Sequence, residues 1–389
     1  MPSASLDAIL RGPIEQGRIP GVAAVVTDAH GDRYANAFGT RRIGDQNSPM
    51  QVDSVAWIAS MTKALTSTAA VQLIDAGLLS LDTPAKQWFE PLGQAQVLEG
   101  FDAEGQPILR APRTDITLRH LLTHTAGYGY EFLSSDNLRF QQATGTPGVI
   151  SCSNAVFSNP LLFDPGTRWN YGINIEPVGK IIETVTGKRL GEHLQSSLLG
   201  PLAMADTAFR MRPDMQSRLV SIHQRETDGH LTPLDLQIEQ DPEFEMGGGG
   251  LYGTAADYAQ FLRLFLNAGK VDGQALLSPR AFDWLTHNAM GNLNVLPMQS
   301  SVPALTLDVD LYPNIPRKWT LAFETNTQAL PTGRSAGSLN WAGLANSYFW
   351  IDLHKGLAGV YISQVLPFLD PAVANHFADF ETAVYQQLG

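Results

Sequence analysis

At 389 residues the chain allows two or three folding units, and with 44% hydrophobic against 16% charged residues it can bury a core without disulfides or metals. Its 26 Lys and Arg face 38 Asp and Glu, a formal charge of -12 with no basic run, so neither nucleic acid nor an anionic membrane is expected as partner. The single cysteine, Cys152, forms no internal disulfide and reads as a buried structural thiol.

Leu6, Ile9, Leu10 and Ile14 recur at helical spacing across residues 3–17. Asp7, Arg11 and Glu15 break that segment, so it does not read as an export signal, and a cytoplasmic protein is expected. Residues 21–27 and 34–40 read as paired strands, and no apolar run approaches the roughly 20 residues of a membrane span. Residues 55–58 give another short strand, after which Ser60 reads as the N-cap of a helix running through Lys63, Leu65, Ala69, Val71 and Leu73 to Gly77.

The pattern then turns mostly helical, interrupted by a hairpin from residues 97–101 and 107–109. Thr117 opens a helix that Gly127 closes, and residues 176–186 form another that Gly187 stops. Residues 285–318, without a clear period, read as a lid or pocket wall. Strands return at 319–324, 339–352 and 359–365, before a helix from Pro371 with Val373, Phe377, Phe380 and Val384 on one face. The expected fold class is α+β: one antiparallel sheet from residues 1–59 and 215–389, flanked by helices, with a mainly helical unit at 60–214.

Ser60-Met61-Thr62-Lys63 places an amine one helical turn from a hydroxyl, on the same face. A serine hydroxyl becomes a nucleophile when a base takes its proton, and a lysine freed from its usual pKa of about 10.4 can do so. The helix N-terminus favours an alkoxide on Ser60 and a neutral Lys63. Ser-x-x-Lys alone is common, but this one follows a strand and sits on an otherwise apolar helix. Tyr171, in Trp169-Asn170-Tyr171-Gly172, is a candidate proton relay whose phenol a nearby ammonium would make more acidic. Ser338-Leu339-Asn340-Trp341-Ala342-Gly343-Leu344 reads as a strand whose Leu344 amide, with that of Ser60, can form an oxyanion hole.

These three motifs, in this order, resemble the serine beta-lactamase and penicillin-recognising superfamily, and within it the class C lactamase-like family VIII carboxylesterases. The resemblance extends to residues 117–127 (TLRHLLTHTAG), 165–171 (PGTRWNY) and 247–257 (GGGGLYGTAAD). It implies a beta-lactamase-like fold with the site in a cleft between sheet and helical unit. It implies acylation of Ser60, a base role shared by Lys63 and Tyr171, and substrate binding by Trp341, Gly343 and Leu344. Tyr130 matches a position lining the acyl pocket in the family's esterases and in the similar statin side-chain acyltransferase. No cofactor or metal is implied.

Trp341 stands where lactamases carry the lysine of Lys-Thr-Gly, and an indole cannot pair with a carboxylate. The lactamase Tyr-x-Asn becomes Tyr171-Gly172-Ile173, with Asn174 one residue further along. Both departures suit neutral esters. The expected function is a serine carboxylesterase for a small-molecule ester of short or medium acyl chain. The alternatives are an acyltransferase using an alcohol in place of water, and a weak beta-lactamase or amidase. Gly333-Arg334-Ser335-Ala336-Gly337 spells the hydrolase elbow but precedes a strand rather than a helix, so Ser335 is set aside. His120 and His124, four apart without a glutamate between, read as structural. Gly247 to Gly250 read as tight turns beside the cleft.

Overall fold

The computed structural model describes residues 2–45 and 47–389. Its centre is a seven-stranded antiparallel sheet. In chain order the strands are β1 (Gly21–Thr27), β2 (Asp32–Gly39), β3 (Arg317–Trp319), β4 (Glu324–Asn326), β5 (Leu339–Gly343), β6 (Ser347–Asp352) and β7 (Leu357–Ile362). In space they run β3-β4-β5-β6-β7-β1-β2, so the first and last parts of the chain meet at the β7–β1 pair, as expected.

All seven residues of β1 are buried, because helices cover both faces of the sheet. Ala23 and Val25 point to the face carrying α5 (Ala255–Leu266), while Val22, Ala24 and Val26 point to that of α1 (Pro2–Glu15) and α6 (Pro371–Gln387). On the α5 face the core continues into the helical middle of the chain, around α2 (Thr62–Asp75), α3 (Leu118–Leu122) and α4 (Ile175–Thr186). α2 is buried almost all round, which is why its one lysine has no path to bulk water.

Four expectations are corrected. Residues 339–352 are a hairpin, not one strand: Leu344 to Asn346 turn the chain, with Asn346 left-handed at φ 58. Residues 319–324 are not one strand: 320–323 turn the chain between β3 and β4, where the Thr320 hydroxyl accepts from the Ala322 and Phe323 amides. The strand from Leu357 ends at Ile362, and Val365–Leu366 instead pairs parallel with residues 222–225. Ser60 is no N-cap: it lies within a 3-10 turn, Ala59–Met61, that leads into α2. The first three segments are almost wholly buried, polar residues such as Asn346, Thr320 and Gln364 included, so no exposed stretch marks where their turns fall.

Candidate active site

A two-residue strand, Ala56–Trp57, pairs with Tyr252–Gly253 and delivers the chain to the turn at the head of α2. Ala59 there adopts φ 45, the left-handed region that a side chain disfavours by roughly 1–2 kcal/mol. This sharp reversal points the Ser60 hydroxyl out of the helix and into an apolar pocket walled by Phe132, Leu133, Met298, Val309, Leu311 and Phe368. Residues 285–318 thus supply part of the wall, tied down by the Met298–Val309 and Thr306–Phe368 bridges.

Lys63 is 1% exposed, and its Nζ has three acceptors: Ser60 Oγ at 3.1 Å, Tyr130 Oη at 2.9 Å and the Gly248 carbonyl at 2.6 Å. Three acceptors match an ammonium. A neutral amine keeps two of these bonds as donor and turns its lone pair to the third partner, Ser60. Burial lowers the proton affinity of Lys63 and the charge of Glu176 opposes that shift, so burial, rather than the helix end, is the main influence.

Tyr171 lies with its ring 4.7 Å from Lys63 Nζ, and its hydroxyl accepts from Trp341 Nε1 at 3.0 Å. Burial pushes the phenol's pKa up; the Ser60 hydroxyl and Trp341 indole act the other way without offsetting it. The expectation of an acidified phenol is therefore corrected: Tyr171 stays protonated, and Lys63 is the group positioned to accept a proton. Gly172 sets this geometry, since a Cβ there would stand 2.3 Å from the Tyr128 carbonyl. Asn170 anchors the same loop, donating from its backbone to His124 O and from its side chain to Tyr128 O. Asn174 bonds His124 Nδ1 at 3.0 Å and is fully buried, so it does not take over the missing lactamase asparagine's contact.

β5 brings the third motif alongside. β4 pairs with it only as far as Asn340, leaving the edge at Trp341 to Gly343 open toward the Ser60 turn. A Cβ on Gly343 would come within 2.5 Å of the Ile58 carbonyl, so the close approach requires glycine. Leu344 lies in the turn just beyond the strand and lines the same pocket as Ser60, Trp341 and Gly343. Tyr130 turns its hydroxyl to Lys63, and its neighbours Phe132 and Leu133 form the wall.

Ser335 lies between β4 and β5 in a turn whose amide donates to Asp352, not at the head of a helix. His120 caps α3 with Thr117, while His124 packs neutral against Tyr171 and Trp319, so the two imidazoles enter separate networks. Cys152 is buried, its thiol pushed up to about 12 chiefly by burial. Gly247 to Gly249 form the expected turn, with the Gly249 and Gly250 amides donating to the Met246 carbonyl, and although none has a positive φ they also make room. A Cβ on Gly248 would meet Glu176 Oε1 at 2.4 Å, and Gly247 and Gly249 offer carbonyls to Thr66 and Trp57. The sequence reading passed over Glu176. Its signal was an acid between Ile175 and Pro177 in an apolar helix.

A hydroxyl and a buried amine on a strand-to-helix turn, beside an antiparallel sheet, define a beta-lactamase-like serine enzyme. The Beta-lactamase family matches residues 6–384, and the chain belongs to it. It is 30% identical to the Monacolin J acid methylbutanoyltransferase of Aspergillus terreus, over 99% of this chain and 96% of the relative. It is 29% identical to the Lovastatin esterase of Penicillium rubens, over 98% of each. Unliganded Simvastatin Synthase (LovD) from Aspergillus terreus superposes with a TM-score of 0.85 at 29% identity, covering 100% of this chain and 98% of that one. Among the described residues no helix is long and apolar enough to cross a membrane.

Proposed function

We propose that this protein is a serine acyltransferase that carries a short acyl group on Ser60 and delivers it to an alcohol. The observation that carries this reading is the Ser60 hydroxyl at 3.1 Å from a buried amine, on the floor of an apolar pocket. Ser60 Oγ attacks the carbonyl carbon of an ester donor while its proton passes to Lys63. The amides of Ser60 and Leu344 stabilise the oxyanion, by on the order of 3 kcal/mol for one such donor. As the carbon–oxygen bond to the leaving alcohol breaks, that oxygen takes a proton from Tyr171, and Lys63 restores the phenol. In the second half an acceptor alcohol attacks the acyl carbon, giving its proton back through the same groups, and Ser60 leaves protonated.

The wall supports an alcohol over water as acceptor. Phe132, Leu133, Met298, Val309, Leu311 and Phe368 make the wall mostly apolar, and its threonine, Thr306, already donates its hydroxyl to the Leu307 carbonyl, so an organic alcohol gains by burying its carbon skeleton there. The methylbutanoyltransferase relative, matched along nearly its whole length, supports the same ordering. Hydrolysis is the second reading, favoured by the Lovastatin esterase relative. Lactam hydrolysis is disfavoured because Trp341 offers no charge to an antibiotic carboxylate, so nitrocefin should turn over far more slowly than an ester.

The test is partition of the acyl-enzyme. With p-nitrophenyl 2-methylbutanoate and a panel of apolar alcohols, new ester should form at the expense of free acid; free acid alone, whatever the alcohol, would move the assignment to esterase. Mass spectrometry should locate the adduct on Ser60. Ser60→Ala should lose it and Ser335→Ala keep it, and the opposite pattern refutes the nucleophile.

A further inference from the structure

Glu176 is fully buried in the first turn of α4, and among the described residues it makes no salt bridge. Its Oε2 accepts from the Gly248 amide at 2.7 Å, while Oε1 has no partner. A buried carboxylate with half its acceptors empty is expensive unless a cation lies close by. The nearest cation lies across the same glycine, whose carbonyl accepts from Lys63 Nζ at 2.6 Å. Both backbone polar groups of Gly248 are thus committed, one to each charge. Its missing side chain is what permits this: a Cβ would stand 2.4 Å from Glu176 Oε1 and 3.3 Å from Lys63 Nζ.

We propose that Glu176 is a positioning residue for acyl transfer: fixed by Gly248, it is the counter-charge of Lys63 and sets the pH at which that amine can take the Ser60 proton. The inference rests on Lys63 being the base in the proposed function. When the Ser60 proton arrives, an ammonium forms in a buried site, and the carboxylate offsets its burial. Burial raises the proton affinity of Glu176 and lowers that of Lys63, and each charge opposes the other's shift. The two therefore titrate as a pair. The other titratable groups facing them are Tyr130 and Tyr171, both held as phenols by burial, His124, held neutral, and the Cys152 thiol.

The test is a pH titration in three proteins. Glu176→Gln removes the charge and keeps the shape, so the acid limb of kcat/KM for ester should move to lower pH by on the order of one unit. Its plateau should fall, because Lys63 has become the weaker base. Glu176→Asp should return the limb toward the wild type. A purely structural role would lower activity and leave the limb in place, which overturns the inference. Lysine-selective 15N labelling reads Lys63 directly: its midpoint should drop in Glu176→Gln whether or not acylation occurs. If the wild type forms no Ser60 adduct while the 15N midpoint moves, the function falls and the pair stands. Should Glu176→Gln fail to fold, the wild type decides alone: the Lys63 15N and Glu176 13C signals should each report both titration steps. Independent single steps refute the pairing.

Discussion

At the scale of single residues, Lys63 carries the pH dependence. Burial takes its pKa below the 10.4 of a free lysine, so the neutral amine becomes available at lower pH than usual. The sign follows: acylation should rise with pH as the ammonium is lost and level off well below pH 10, measured by stopped-flow release of p-nitrophenolate. A limb at the free-lysine value would mean that Lys63 is solvated. Trp341 puts a neutral donor where a lactamase lysine brings a charge, and its N–H holds the Tyr171 oxygen. Trp341→Phe keeps the apolar bulk and removes that bond. The expected loss is about 1 kcal/mol, roughly fivefold in kcat/KM, with little change in melting temperature.

Among elements, the contact between β5 and the turn at the head of α2 governs the reaction geometry. Ile58 and Gly343 meet backbone to backbone, with no room for even a methyl group. Gly343→Ala should push the strand from Ser60 and displace the Leu344 amide, lowering kcat by about 10²-fold, the usual consequence of a 1 Å misplacement. Circular dichroism should stay native, since β5 keeps its ladder to β6. An active Gly343→Ala would show that the strand's approach is irrelevant to catalysis.

On the scale of the whole molecule, the turn after β4 is tied to α6 by a fully buried ion pair, Arg334 with Glu381, and Tyr312 adds a hydrogen bond to the same guanidinium. Glu381→Ala would strand an arginine charge in the core. That should destabilise the fold by on the order of 3–5 kcal/mol, read from urea unfolding. Activity per folded molecule should persist, because neither residue lines the Ser60 pocket. A neutral outcome would mean that water reaches Arg334 once the carboxylate is gone.

Local order determined what was legible beforehand. Ser60 and Lys63 are neighbours by helical geometry, and the helices closed by Gly77 and Gly187 and the amphipathic α6 are written in periodicity, so these followed from the sequence alone, whereas α3 ends at Leu122, short of the expected close at Gly127. The motif order carried the Tyr171 and Trp341–Leu344 segments to the same cleft. The turns that split the expected strands are buried like the strands beside them, so the local mark at Asn346, a residue that tolerates the left-handed region, stood without the exposed polar stretch that announces a surface turn. Only the tertiary structure could bring Glu176, Gly248 and Tyr130 to Lys63 or turn Trp341 onto Tyr171. The first three lie 67 to 185 positions from Lys63, and Trp341 and Tyr171 lie 170 apart. The strength of a buried charge or phenol as an acid depends on what surrounds it in space, and no pattern along the chain encodes that environment.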